Sequence, residues 1–225
     1  MPNVPLLLGH RGTRVHPGIQ ENTVDAFDAA IAAGCDGFEF DVRLTGCGRG
    51  LVCHDETVEG VVVSHARADQ LTDLPVLDNI IHSYAHRVFL DIELKVEGLE
   101  HIVLDALRND PPPREYVVSS FLPEVIMELR ARNGQIPLGI ICDRKSQLAQ
   151  WDKLPVGHVI VHRSLFSEQL VEEVHARNKT VFVWTVNDPE EMRRVAESGA
   201  DVIISDDPKL LVHVLRPETG DANHA

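Results

Sequence analysis

The sequence predicts a (β/α)8 TIM barrel with a β-hairpin extension after the second strand, and three observations carry that reading. Nine short apolar runs rich in β-branched residues recur along the 225-residue chain. Most are separated by stretches of helical periodicity, an alternation that predicts a parallel sheet. Two runs, GFEFDV (37–42) and LVCH (51–54), are joined by too few residues for a crossover helix, so they form an antiparallel hairpin. Setting the returning run aside leaves eight parallel strands, the number a closed barrel needs. A doubly wound open sheet is the competing topology.

The elements follow in order. PLLLGH (5–10) is the first strand, and NTVDAFDAAIAAG (22–34) the first helix, with Asn22 as N-cap, Asp25 three residues on and Gly34 as the stop. GFEFDV and its hairpin come next, then residues 56–77, then a helix near LDNIIHSY. Strands VFLDIEL (88–94), YVVSSF (116–121), PLGIIC (137–142), HVIVH (158–162), TVFVWTV (180–186) and DVIIS (201–205) complete the set. Helical stretches between them include LEHIVLDALRN, LPEVIMELRARNG, SEQLVEEVHARNK and DPEEMRRVAESG. Residues 1–215 read as a single domain, and the polar tail RPETGDANHA (216–225) as disordered.

Composition narrows the partners. With 44% apolar residues the chain can bury one sizeable core, and a formal net charge of −14 argues against nucleic acid and anionic membrane surfaces. A small anionic substrate remains compatible, because a few local cations outweigh a distant field. Cys35, Cys47, Cys53 and Cys142 lack paired metal-ligand spacing and read as reduced thiols of a cytoplasmic protein. The N-terminus has no basic start or signal-peptide core, and no run is long enough for a membrane span. The oligomeric state, homo-oligomer included, is left open.

The polar residues inside the strands point to chemistry. Strand side chains alternate, so Glu39 and Asp41 share one face of GFEFDV while Phe38, Phe40 and Val42 share the other. If the apolar face packs under helices, the acids project inward at the carboxyl end, where barrels keep their active sites. Reflection about the turn at 46–50 places His54 opposite Asp41. In VFLDIELK, Asp91, Glu93 and Lys95 likewise share a face, opposite Leu90, Ile92 and Leu94. A wet edge hairpin and a structural ion pair are the bland accounts of these two segments. Together, however, they crowd carboxylates around one lysine, an arrangement that repels itself unless a cation sits within it. Oxygen donors favour a hard ion, Mg²⁺ or Ca²⁺. His10 and Arg11 close the first strand at the same rim, a second imidazole and a guanidinium suited to phosphate oxygens. Two histidines, acids, an arginine and a lysine equip a site for metal-assisted attack on a phosphodiester, one imidazole as base and the other as acid.

HRG (10–12), ENT (21–23), the F-x-x-A of AFDAA, GCDGFEFDV (34–42), HD (54–55), DIELK (91–95), WTVN (184–187) and DVIISD (201–206) follow in this order. This series resembles the glycerophosphodiester phosphodiesterase family along nearly the whole chain. The resemblance implies a (β/α)8 barrel with one divalent cation that splits glycerophosphodiesters into an alcohol and glycerol 3-phosphate. It implies Glu39, Asp41 and Glu93 as metal ligands and His10 and His54 as the acid–base pair. Arg11 and Lys95 would hold phosphate, and Trp184 would wall the glycerol side. The chain departs from the family pattern at Gln20, where proline usually precedes ENT. It also departs in residues 56–77, which lack the leucine-x-arginine-threonine-threonine run that opens the family's inserted subdomain, so alcohol specificity does not transfer.

Other motifs have blander readings. GCGRG (46–50) lacks the helix and Lys-Ser/Thr of a P-loop and reads as a hairpin turn. His158 and His162 read as rim or turn residues, with His162 able to reach the barrel mouth. Asp206-Asp207-Pro208 reads as a helix cap, and Trp184 could also be a core aromatic. Two rival functions are a sphingomyelinase D-like or lysophospholipase D-like reaction on the same barrel, and a non-catalytic phosphate-ligand binder.

Overall fold

A computed structural model describes residues 4–113 and 115–217. Among them, eight parallel strands close into a barrel: β1 (Leu6–Gly9), β2 (Gly37–Leu44), then, after the short strands below, β6 (Phe89–Leu94), β7 (Tyr116–Ser120), β8 (Leu138–Cys142), β9 (His158–His162), β10 (Thr180–Trp184) and β11 (Val202–Ser205). Closure comes from β1, which pairs with β11 on one side and β2 on the other. The hairpin extension is present: β3 (Gly50–Val52) runs antiparallel to β2, and Thr45 and Arg49 close the turn by backbone hydrogen bonding.

Among the described residues eight helices accompany the strands: α1 (Val24–Ala32), α2 (Leu77–Tyr84), α3 (Glu100–Asn109), α4 (Pro123–Arg132), the single turn α5 (Lys145–Leu148), α6 (Glu168–His175), α7 (Pro189–Glu197) and α8 (Pro208–Leu215). Residues 56–77 hold a two-stranded ribbon, β4 (Thr57–Val58) with β5 (Val61–Val62), and two 3-10 turns before α2 begins. A satellite core of Leu51, Cys53, Val63, Ala66 and Leu71 fastens this lobe to the hairpin. No described helix is long and apolar enough to cross a membrane.

Strand alternation sorts the core into two shells. Leu7, Phe38, Phe40, Leu90 and Ile92 face outward into the large cluster beneath the helices. Leu8, Phe89, Val117, Ile141, Ile160, Phe182, Val202 and Ile204 fill the barrel interior. Close packing at the amino end of β2 demands glycine: a Cβ at Gly37 would lie 1.8 Å from the Phe89 carbonyl oxygen. One cap differs from the sequence reading and one agrees with it. Thr23, not Asn22, caps α1 by accepting from the Ala26 N–H, because Asn22 adopts φ +59 and turns its amide into the barrel mouth. At α8 the cap is Asp207, which accepts from the Leu210 N–H. Residues 218–225 of the expected tail lie outside the described residues; Arg216 pairs with Asp36 at 2.6 Å.

Candidate active site

β2 and β6 lie side by side in register, Glu39 opposite Asp91 and Asp41 opposite Glu93. All four carboxyls point inward and are buried, while Phe38, Phe40, Leu90 and Ile92 take the opposite faces. Glu39, Asp41 and Glu93 each offer an oxygen, and these atoms all lie within 4.8 Å of one another. Asp91 lies outside that trio and accepts from the Ser119 hydroxyl at 2.6 Å.

Two cations approach the acids. Lys95, one residue past β6, places Nζ 2.6 Å from Glu93 Oε1 and 3.3 Å from Asp41 Oδ1. Arg11, just past β1 at φ +50, sets Nε 3.1 Å from Asp41 Oδ2 and donates its backbone N–H to Glu39 Oε2. Glu21 holds the other end of the guanidinium, accepting from Nη1 at 2.6 Å. Asn22 clamps Asp41 from the same loop.

Burial dominates the electrostatics. Burial, then Asp41, Glu93 and Asp91, hold the Glu39 carboxyl well above the ordinary carboxylate range. Burial and Asp41 push Glu93 up to about 8, and burial pushes Asp91 up to about 7. For Asp41, burial is outweighed by Lys95, Arg11 and the Asn22 hydrogen bond, and the carboxyl is held below its usual value. Four carboxyls thus face two cations, and among the described residues Glu39 Oε1 and Asp91 Oδ2 are buried without a hydrogen-bond partner. An oxygen-lined pocket with an orphaned carboxylate oxygen fits a hard divalent cation.

Both sequence-predicted histidines reach this rim. His10 follows β1, is buried, and directs Nε2 toward Glu39 Oε2 at 3.8 Å. His54 arrives differently from the expected reflection. The ladder pairs Val42 with Val52, and Cys53 N–H donates to the Asp41 carbonyl, so Cys53 stands opposite Asp41. The strand ends at Val52, and His54 gains its place from the following loop, where its carbonyl accepts from Arg43 Nε. Burial lowers the His54 imidazole from its ordinary value, against the opposing pull of Asp55 and Asp41.

A cavity of about 90 Å³ collects these groups. His10, Arg11, Glu39, His54, Glu93 and Lys95 form its polar wall, and Phe121, Trp184 and three isoleucines its apolar one. Trp184, at the carboxyl end of β10, meets Phe121 edge-on at 5.7 Å and His162 at 5.3 Å. His162 therefore reaches the mouth as a packing partner. His158 lies at the other end of β9, bonded to Thr180. On the far side of His54 a groove of about 450 Å³ runs between residues 20–23 and the lobe built from 56–77.

Sequence reasoning missed the residues that brace this site: Asn22, Glu21, Asn187 and Asp206. ENT, WTVN and DVIISD, already singled out as motifs, contain all four, but nothing in them marked these residues as braces.

A closed barrel with inward acids, two histidines and two cations on its carboxyl rim is an arrangement suited to phosphoester chemistry. The sequence model of the glycerophosphoryl diester phosphodiesterase family matches residues 10–79 and 92–210, and the chain belongs to that family. It is similar to a glycerophosphodiester phosphodiesterase of Caldanaerobacter subterraneus subsp. tengcongensis, 26% identical over 240 residues that cover 94% of this chain and 98% of the relative. Among solved structures, a glycerophosphodiester phosphodiesterase of Thermotoga maritima superposes with a TM-score of 0.80 at 26% identity, covering 93% of this chain and 98% of the other. An Oleispira antarctica phosphodiesterase solved with the product sn-glycerol-3-phosphate shares the fold, with a TM-score of 0.80 at 23% identity over 94% of this chain and 97% of that one. The chain is accordingly an enzyme of the phosphoric diester hydrolase class.

Proposed function

We propose that this chain hydrolyses small glycerophosphodiesters to glycerol 3-phosphate and a free alcohol, using one divalent cation, Mg²⁺ or Ca²⁺, and two histidines. The observation that carries the reading is the Glu39–Asp41–Glu93 trio, three carboxylate oxygens within 4.8 Å beside Arg11 and Lys95. These three would hold the cation, which supplies Lewis-acid polarisation of a phosphoryl oxygen when bound. Arg11 and Lys95 offer the phosphate guanidinium and ammonium donors whose own counter-ions are already in place. His10 and His54 divide the proton work: one removes a proton from the attacking water, the other delivers one to the departing alkoxide. Phe121 and Trp184 give the carbon skeleton of glycerol an apolar wall and exclude water from that side.

The relatives named as glycerophosphodiester phosphodiesterases support the substrate class, as does a structural neighbour holding sn-glycerol-3-phosphate. Retention of both histidines and all three acids disfavours a non-catalytic binder. The test is product analysis. Glycerophosphocholine, glycerophosphoethanolamine, glycerophosphoinositol and glycerophosphoglycerol are incubated with the enzyme and each metal, and products are read by phosphorus NMR. Glycerol 3-phosphate as the phosphorus product supports the reading. Accumulation of a cyclic phosphate as the end product would favour the sphingomyelinase D-like alternative, and no turnover would reject catalysis.

A further inference from the structure

The sequence offers two consecutive aspartates after the last strand, and the helix uses only the second. Asp207 caps α8, while Asp206 turns the other way, into the barrel mouth. Its carboxylate is built into place. Oδ1 accepts from His10 Nδ1 at 2.6 Å and from Arg14 Nη1 at 3.4 Å, and Oδ2 accepts from the Asn187 amide at 2.7 Å. The backbone is held as well: Asn187 Oδ1 accepts from the Asp206 N–H at 3.0 Å, and the Asp206 carbonyl accepts from the Arg14 N–H and the Thr13 hydroxyl. Arg14 is anchored in turn by Glu21, the residue that also holds Arg11.

We infer that Asp206 is the positioning residue for His10, holding the imidazole with Nδ1–H toward the carboxylate so that Nε2 is its reactive nitrogen. The inference rests on the proposed acid–base role of His10. An ionised carboxylate only accepts hydrogen bonds, so a 2.6 Å contact requires the proton on Nδ1. Nε2 then faces Glu39 and the cavity, where it can take or give one proton while Nδ1 keeps its own and Asp206 stays ionised. His54 has weaker support: its partner Asp55 has a 77% exposed side chain, whereas that of Asp206 is 16% exposed. The site thus holds one histidine on a largely shielded, multiply bonded carboxylate and one on a solvated loop.

The test is a double-mutant cycle with a diester substrate. Asp206→Asn keeps the shape but sets an NH2 against either His10 Nδ1–H or the Asn187 amide, whose own orientation is fixed by Ser205 and the Asp206 backbone. We expect kcat to fall roughly 10–100-fold with KM changed by less than about threefold. In a His10→Ala background the same substitution should change kcat by less than about twofold, since the group it acts through is gone. An equal loss in both backgrounds would mean that Asp206 is merely structural, overturning the inference while leaving the function intact. Wild-type activity in His10→Ala would overturn the inference together with the acid–base role proposed for His10. Should Asp206→Asn fail to fold, ¹⁵N NMR of the wild-type ring decides alone. A neutral His10 protonated on Nδ1 supports the inference, and one protonated on Nε2 overturns it.

Discussion

Asn22 and Asp41 clasp each other across the barrel mouth. The Asn22 amide donates to Asp41 Oδ2 at 2.8 Å, and its carbonyl accepts from the Asp41 backbone N–H at 3.3 Å. Both residues are buried, and Asn22 holds this position at φ +59. Held at one carboxylate oxygen and at its backbone N–H, Asp41 presents its other oxygen in one direction only. Asn22→Ala should therefore weaken metal affinity by roughly 10–100-fold, the usual effect of losing a hydrogen-bonding neighbour of a ligand. Calorimetric titration with Mg²⁺ and Ca²⁺ measures it, and unchanged affinity in Asn22→Ala would refute the clasp's role.

Chelation should abolish turnover, and Mg²⁺, Ca²⁺ or Mn²⁺ should restore it. Asp41→Asn, which removes charge and keeps shape, should weaken metal binding strongly. Metal binding should also release protons. Glu93 is raised to about 8 by burial and Asp41, so a cation entering at pH 7 displaces a proton there. Apparent affinity should then fall as pH drops below about 8. Full activity in chelator with Asp41→Asn silent would sink the metal assignment.

His10→Ala and His54→Ala should each cost about 10²–10⁴ in rate, with non-additive losses in the double variant. The dependence of kcat/KM on pH should be bell-shaped, since one imidazole must be neutral and the other charged. A nitrophenyl ester has a leaving group that departs without a proton. It should rescue the variant lacking the acid and not the one lacking the base. Equal rescue of both variants would disprove the division of labour.

His158 provides a stability prediction away from the chemistry. Burial lowers this imidazole to about 4, against a weak opposing pull from Asp201. An unfolded histidine titrates near ~6.5, so between these values the unfolded chain binds more protons and stability falls as pH falls. The loss should be on the order of 2 kcal/mol after allowing for the partial exposure of the ring. Urea unfolding at pH 4.5 and pH 7.5 measures it, and His158→Gln should remove that part of the slope. An unchanged slope in the variant would contradict the assignment.

The lobe formed by residues 56–77 stands beside the groove beyond His54 and leaves it open. An open pocket discriminates by ~1 kcal/mol or less per methylene, below the 1–3 of an enclosed one. Choline, ethanolamine and glycerol diesters should then differ by roughly tenfold or less in kcat/KM. Strictness should lie on the glycerol phosphate side, against Trp184 and Arg11. A monomeric enzyme that prefers one alcohol by orders of magnitude would show that the lobe encloses more than its length suggests.

The sequence by itself determined the barrel, the hairpin and the inward acids. Those follow from short-range rules: the two-residue alternation that puts Glu39, Asp41, Asp91 and Glu93 on one face, and a connection too short for a parallel crossover. Tertiary structure alone decided which neighbours brace them. Asn22 looks like a cap until its left-handed backbone conformation turns the amide toward Asp41, and Thr23 takes the cap instead. His54 depends on a register one residue away from simple reflection and on a loop beyond the strand's end. Asp206 and Asp207 are indistinguishable as letters. Barrel closure separates them: the β1–β11 ladder sets Gly9 against Ser205, bringing His10 within reach of Asp206 from 196 residues away. No local periodicity encodes that contact, because it exists only once the first and last strands meet.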